Sequence, residues 1–561
     1  MAFTHHSLRA LSQRSQPPPA AAALTLSRST RLRLPPARHH STQSASAASA
    51  SASASASASA SASATSSRTP ASSLASSTTP PTDPFPDIDP LRSIKTELAS
   101  LRSSVSRLLG SGHPALDTIA KYYFHAEGKH IRPQIVLLMA RATNGLSPLW
   151  PSLQHRAQNE LDMSVGTPIS PTHILNDHNP HAQQQPSSTS SSASSSTAPT
   201  LLLLPTQRRL AEITEMIHVA SLLHDDVIDE ASLRRSLPSA PASFGNKLSI
   251  LAGDFLLGRA SVALARLRDC EVVELLATVI ANLVEGEVMQ LKGAPAPTSS
   301  TKADGMKKQG EGEDEEVQES LAAFEQVINA PSSSSSAQSS PLSSFLSFDP
   351  MASLSSSTYP EGGPTRELFA HYLQKTYLKT ASLIGKSARA ATILGGCGAE
   401  AVDRFVDVLS VGPVRDQAEV EQGRERCREI RDAAYWFGRN LGMAFQLVDD
   451  LLDFRTTSNM FGKPSGGADL RLGLATAPVL YAWQELGTQS GLAEMIARKF
   501  EGEGDVEKAL RLVLSSQALQ RTASLADHYA QQARQSLDVL PPSDAKDALV
   551  ALTRQVTSRM K

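Results

Sequence analysis

At 561 residues the chain could hold roughly three or four average domains, yet only 40% of its residues are hydrophobic and 5% aromatic, because long Ser, Ala, Thr and Pro tracts dilute the part that can fold. Its 53 Lys and Arg against 55 Asp and Glu leave no excess charge to attract nucleic acid or a strongly acidic partner. The three cysteines, Cys270, Cys397 and Cys427, lie far apart without CxxC spacing, which argues against a disulfide framework or a zinc site. No run of the chain reaches the roughly 18 to 20 consecutive apolar residues of a membrane helix.

Residues 1–90 stand apart in composition. No Asp or Glu occurs before Asp83, whereas Arg9, Arg14, Arg28, Arg31, Arg33 and Arg38 are spread among Ser, Ala and Leu. That is the make-up of an organelle-targeting presequence, and Arg38-His39-His40-Ser41 resembles a mitochondrial processing site. The Ser-Ala alternation over 44–64 and the Ser/Thr/Pro-rich stretch after it cannot bury enough apolar surface to order themselves.

From residue 91 the pattern turns helical. Apolar residues recur at three- and four-residue spacing over 94–109, 131–142, 210–230, 247–267, 272–291, 367–394, 399–408, 426–454 and 475–485, and the pattern continues over 492–561. Two low-complexity segments, about 146–205 and about 294–364, interrupt it. They read as insertions between helices, tolerated because closure entropy grows only logarithmically with loop length. The expectation is an all-α fold, one helical domain over 91–561 carrying two disordered insertions.

Two carboxylate sets carry the chemistry. Residues 215–235 read EMIHVASLLHDDVIDEASLRR, with Asp225, Asp226 and Asp229 at i, i+1, i+4; residues 441–454 read LGMAFQLVDDLLDF, and Asp449, Asp450 and Asp453 repeat that spacing. On a helix, Asp225 and Asp229 share one face, a turn apart. A lone DDxxD often marks only a solvated acidic helix end. Two sets at the C-terminal ends of apolar helices oppose both the helix dipole and each other, so a cation is needed among them. Hard oxygen ligands on two facing helices suit magnesium completed by water and phosphate oxygens.

Cations that could meet those phosphates sit in short motifs: Lys129 and Arg132 in GKHIRP, Arg234 and Arg235 after the first cluster, Lys379 beside Thr380 in YLKTASL, and Lys463 in FGKPSGGADL. Each alone reads as a surface cation; together they describe a cavity for two diphosphates. His218, two helical turns before Asp225, can point into the same cavity.

These segments, with FGNKLSILAGDFLLGRAS, GEVMQLKG and FQLVDDLLDFRTTSNMFGKPSGGADLRLGLATAPVL, resemble in order and spacing the trans-prenyltransferases, the polyprenyl diphosphate synthases, and above all the mitochondrial synthases of the ubiquinone side chain. The resemblance covers 91–145, 207–293 and 366–561. Ser236 departs from it, standing where the family commonly has Gly. It implies an isoprenoid-synthase-type orthogonal helical bundle around a central cavity, and head-to-tail addition of isopentenyl diphosphate to an allylic diphosphate, farnesyl or geranylgeranyl. By resemblance, Asp225, Asp229 and Asp449 hold about three magnesium ions on the allylic diphosphate, with Asp226, Asp450 and Asp453 in support. Arg234, Lys379, Thr380, Gln446 and Lys463 bind that diphosphate, and Lys129, Arg132, His218 and Arg235 hold isopentenyl diphosphate. The resemblance further implies a homodimer or a heteromer with a related subunit, peripheral membrane contact, and a place in the mitochondrial matrix or at the inner membrane.

Product length is expected to depend on the helix before Asp225. Ala220 and Ser221 are small where short-chain members carry a bulky aromatic, and Ile217, Met216 and Ile213 offer no aromatic floor further back. At about one isoprene unit per helical turn, a product of about six to ten units is expected. The alternatives are a short-chain, geranylgeranyl-type synthase, and a non-catalytic subunit of a heteromer, which usually has eroded aspartates. A ferritin-like di-iron protein would use the ExxH matches Glu215-Met-Ile-His218 and Glu127-Gly-Lys-His130. A terpene cyclase shares the first cluster, but its second normally mixes Asn or Asp with Ser and Glu.

Overall fold

The computed structural model describes residues 94–109, 113–125, 130–158, 202–234, 237–292, 363–399, 417–455 and 466–559. The presequence reading, nearly all of the helix expected at 399–408 and most of both insertions lie outside these residues. The chain runs through α1 (Lys95–Leu108), α2 (Pro114–His125), α3 (Ile131–Thr143), α4 (Trp150–Gln158) and α5 (Pro205–Ile228), then a two-residue antiparallel pair, β1 (Leu233–Arg234) and β2 (Leu237–Pro238). Next come α6 (Ala240–Phe244), α7 (Asn246–Arg266), α8 (Cys270–Lys292), α9 (Arg366–Thr376), a π-helical turn (Tyr377–Ala381), α10 (Ser382–Thr392) and a second π-helical turn (Ile393–Cys397). The 39-residue α11 (Gln417–Arg455) is succeeded by α12 (Ala468–Arg471), α13 (Ala477–Leu486), α14 (Leu492–Ala497), α15 (Asp505–Ser515), α16 (Ala518–Ser536) and α17 (Asp544–Ser558).

Helix α5 is central because its sequence is apolar or small almost all round. Ile213, Met216, Ile217 and Ala220 are all fully buried, and the helix packs on α3 and α7. Its start is fixed from both sides. Pro205 stands in the first turn, where a missing N–H costs nothing, and the Gln207 side chain accepts from the Leu204 amide at 3.0 Å while donating to the Ala391 carbonyl at 3.1 Å. Helix α11, the second central helix, packs between α10 and α16. A methyl group at Gly442 of α11 would sit 2.6 Å from the Ala381 Cα, so only glycine lets these two backbones meet.

The structure differs from the periodicity in several places. Helix α2 is absent from the sequence pattern because its Tyr122-Tyr123-Phe124 run hides the apolar period. Residues 150–158, read as the front of the first insertion, form α4, and Ser147 before it donates to the Gly396 carbonyl at 2.7 Å. Leu203 and Leu204, read as the end of that insertion, are buried in the core. The single helix expected over 367–394 is broken by a π turn. By length and composition α7 could cross a membrane, although it holds no unbroken apolar run of that length; 44% of its apolar window is buried, against α5 and α2. Cys397 and Cys427 are buried free thiols and Cys270 an exposed one.

Candidate active site

The first acidic cluster ends α5, and its three acids face different ways. Asp226 is fully buried. It accepts from Arg234 Nε at 2.8 and 2.9 Å and pairs with the same guanidinium at 2.6 Å; the Tyr123 hydroxyl also donates to it and in turn accepts from the Ala240 amide at 2.8 Å. Asp225 and Asp229, one turn apart, project from another face. Burial pushes the Asp225 carboxyl up to about 6, with Lys379 pulling it down and Glu287 and Asp229 pushing it up. Asp229 is raised for the same first reason, again between Lys379 and Glu287.

The second cluster ends α11 in a parallel way. Asp450, only 4% exposed, accepts from the Tyr372 hydroxyl at 2.6 Å and from the Gln446 amide at 2.8 Å. Asp453 accepts from the amides of Ala468 and Asp469 at 2.9 and 3.1 Å, holding the start of α12. Asp449 pairs with Arg559 at 2.9 Å; burial raises its pKa, opposed first by Arg559 and, less strongly, by Arg132 at the start of α3. Asp469, pushed up to about 8 by burial with Asp450 and Asp453 adding to the effect, joins this group.

The π turn stands between the clusters. Such turns carry one residue more than α-helical spacing and are frequent at functional sites. Lys379 on this turn pairs with Glu287 and donates to Gln290 at 3.0 Å, and its charge acts on Asp225 and Asp229. Thr380, the next residue, donates to Gln446 at 2.8 Å, and Gln446 donates to Asp450. Consecutive residues thus reach the two acidic sets. The approach needs Gly286 on α8, where a Cβ would lie 2.7 Å from Lys379 Cγ.

The other expected site residues are placed unevenly. Arg234 is held by Asp226. His218, half-buried, lines a small pocket with Tyr122, Tyr123, His130, Glu215 and Arg234. Glu215 is engaged by His130 Nδ1 at 2.9 Å. Ala220 is fully buried, and Ser221 is half-buried with its hydroxyl donating to the His218 carbonyl at 2.9 Å. Lys129, Arg235 and Lys463 lie outside the described residues. Tyr123, Glu287, Gln290, Tyr372 and Asp469 are site residues that sequence reasoning alone does not single out. The motifs GEVMQLKG and GGADL contain three of them, and Tyr372 lies seven residues before Lys379, two turns of an uninterrupted helix, which is the available signal.

Among the described residues no three His, Cys, Asp or Glu side chains form a ready metal cage. Magnesium does not require one, since it keeps water and shares phosphate oxygens. Asp225, Asp229 and Asp449 are each raised by burial with too little positive charge nearby, which is the environment a divalent cation relieves. These residues fit that ion.

Known proteins are similar to this chain in sequence and fold. The model of the polyprenyl synthetase family matches residues 193–328 and 418–513. The chain is 44% identical over 482 residues to a Neurospora crassa protein named "Probable hexaprenyl pyrophosphate synthase, mitochondrial", spanning 86% of this chain and 84% of that one. It is 39% identical over 489 residues to the Saccharomyces cerevisiae "Hexaprenyl pyrophosphate synthase, mitochondrial", spanning 84% and 91%. The crystal structure of a decaprenyl diphosphate synthase from Rhodobacter capsulatus matches with a TM-score of 0.51 at 22% identity, over 84% of this chain and 98% of that one, which shows the isoprenoid-synthase fold. The chain therefore belongs to the polyprenyl synthetase family of prenyltransferases.

Proposed function

We propose that this protein is a mitochondrial long-chain all-trans polyprenyl diphosphate synthase that adds isopentenyl diphosphate head-to-tail to an allylic diphosphate for the ubiquinone side chain. The observation that carries the reading is the pair Lys379 and Thr380, adjacent on one π turn, with Lys379 acting on the first aspartate cluster and Thr380 linked through Gln446 to the second. A single diphosphate between the clusters meets both.

Asp225, Asp229 and Asp449 would hold about three magnesium ions, whose chemistry is to stabilise the charge that develops on the departing diphosphate. Lys379, Thr380 and Gln446, with Arg234 and Lys463, orient that diphosphate so that its ester bond lines up with the incoming alkene. Arg132 and His218, with Lys129 and Arg235, hold isopentenyl diphosphate. The allylic C–O bond breaks, the alkene bonds to the allylic carbon, and the proton lost from the adduct goes to the released diphosphate. No protein nucleophile is required. The apolar flank of α5 keeps water from the cation-like intermediate.

The small Ala220 and Ser221 are what a growing chain beside α5 would require, and the hexaprenyl names of the relatives support a product of about six units or somewhat more. The absence of an aromatic at 220 and 221 counts against a geranylgeranyl-type product, and six intact aspartates count against a non-catalytic subunit. Exposed Ile250, Leu251, Val284 and Val288 on α7 and α8 support assembly as a homodimer or with a related subunit. The test is chromatography of the products made by purified protein from farnesyl diphosphate, labelled isopentenyl diphosphate and magnesium. Products of about thirty carbons or more are expected at one added unit per turn of tunnel. Chains that stop at geranylgeranyl length overturn the long-chain reading, and absence of turnover overturns the enzyme.

A further inference from the structure

A second cleft, of about 190 Å³, lies behind Tyr372, bounded by the C-terminal end of α8, by α9, by the turn 472–475, and by α13 and α14. Among the described residues its charged lining has one sign: Lys292, Lys375 and Lys499 face it, and no described Asp or Glu does. Trp483, Leu368 and Ile496 give it an apolar wall. None of these lysines has a role in the reaction described above.

Two of the lysines are held in unusual ways. Lys499 has a left-handed backbone, φ 52, a conformation L side chains rarely adopt, and it is wedged against Gly473 (φ +77), where a Cβ would lie 3.0 Å from that of Lys499. This backbone brings its ammonium to the Leu291 carbonyl at the end of α8, 3.2 Å away. Lys375 makes no hydrogen bond among the described residues; its ammonium stands 5.7 Å over the Tyr372 ring. Burial lowers its pKa, while Asp450, Asp469 and Glu287 act on it only through space. An anion in the cleft would give the Lys375 ammonium a partner and neutralise the charge on Lys499.

We infer that this cleft is a regulatory site for a phosphorylated isoprenoid, with the phosphate or diphosphate head on Lys292, Lys375 and Lys499 and the first part of the tail against Trp483, Leu368 and Ile496. The cleft shares two residues with the reaction site. Tyr372 lines it while its hydroxyl donates to Asp450, and Gln290 lines it while accepting from Lys379. An occupant therefore bears on the side chains that position one member of the second cluster and the diphosphate lysine, and it lowers turnover without displacing either substrate. The ligand's identity rests on the synthase reading; the cleft's preference for an amphipathic anion does not.

The experiment titrates the full-length protein with farnesyl monophosphate in EDTA, monitored by tryptophan fluorescence. Saturable binding is expected, with the signal lost in Trp483→Phe. Affinity should fall at least about tenfold in a Lys292→Ala/Lys499→Ala double variant and stay unchanged in Asp225→Asn/Asp449→Asn. Inorganic pyrophosphate and farnesol should each bind at least about tenfold more weakly than the ester. With magnesium and both substrates, farnesyl monophosphate should inhibit non-competitively, and the lysine double variant should keep its basal turnover while escaping inhibition. Equal binding of pyrophosphate removes the isoprenoid from the proposal, and equal binding of farnesol removes the lysines. Binding lost in the aspartate variant, or purely competitive inhibition untouched by the lysine variant, places the ligand in the reaction site and overturns the proposal. The binding arm decides this even for a protein without synthase activity.

Discussion

The Tyr372 hydroxyl donates to Asp450 at 2.6 Å, and the Tyr123 hydroxyl does the same for Asp226 in the other cluster. In each DDxxD set it is the middle acid that turns into the protein and is bound by a tyrosine from another helix. Of the outer acids, Asp225 and Asp229 lie within reach of the Lys379 charge, Asp449 pairs with Arg559, and Asp453 holds the start of α12. Removing the tyrosine hydroxyl strips a buried carboxylate of one of its donors, at a cost of about 1–3 kcal/mol. Tyr372→Phe should lower the urea midpoint accordingly and reduce kcat about tenfold, because Asp450 and Gln446 lose their fixed position. Wild-type stability in that variant would show that Gln446 alone holds the acid.

Asp225→Ala and Asp449→Ala should each reduce turnover by several orders of magnitude with the fold intact, since each removes a carboxylate from the proposed cation site. Circular dichroism checks the fold, and a magnesium titration checks the role. Near-normal rates in excess magnesium would refute it.

Burial holds the Asp225 carboxyl at about 6, above the ordinary 3.8, so the folded protein keeps this proton to higher pH than the unfolded chain does. Because the folded state binds more protons between the two values, this group's contribution is most favourable at low pH and is lost as pH rises through about 6, amounting to about 3 kcal/mol. In EDTA, Asp225→Asn should therefore gain stability relative to wild type as pH rises from about 4 to 6.5. Magnesium affinity should run the other way, rising over that range as the ligand ionises. Melting curves with and without metal at both ends of the range test it, and equal magnesium affinity at both would remove Asp225 from the site.

Gly286→Ala would place a Cβ 2.7 Å from Lys379 Cγ and push the lysine aside. The expected result is a ten- to hundredfold fall in kcat/KM, roughly, for the allylic diphosphate, with little change in melting temperature. A double-mutant cycle with Lys379→Ala separates displacement from general damage: the two losses should fail to add, and additive losses would show that Gly286 acts elsewhere.

Ala220→Phe should shorten the product to fifteen to twenty carbons, about one to two units beyond a ten-carbon primer or none to one beyond farnesyl. Ala220 is fully buried, so the added ring is also expected to cost about 1–3 kcal/mol by overpacking. Product length is measured by chromatography on protein shown to be folded. An unchanged length distribution would defeat the tunnel beside α5.

Both aspartate sets and the helices bearing them are legible in the sequence because apolar periodicity and i, i+4 spacing are local properties of a helix. The pairing of Lys379 with Glu287 is not, since it joins residues 92 positions apart and rests on the absence of a side chain at Gly286. The π turn is hidden for another reason: the same side chains satisfy an α-helical pattern, and only the choice of carbonyl partner differs. Asp469 reads as a loop acid until the fold sets it beside Asp450 and Asp453. In α2, three successive aromatics mask the period, and α4 escapes notice because it lies where the composition turns polar.

A helix that accommodates one residue more than its pitch allows keeps a phase offset between the segments on its two sides. Across Tyr377–Ala381, that offset lets α9 aim Tyr372 at Asp450 while α10 continues along α11. Inserting one more residue after Leu378, with no further widening to absorb it, would swing α9 by about 100° relative to α10, leaving all six acids in the sequence but Tyr372 and Lys375 turned elsewhere. The alignment is stored in a residue count, which a survey of point substitutions would never disturb.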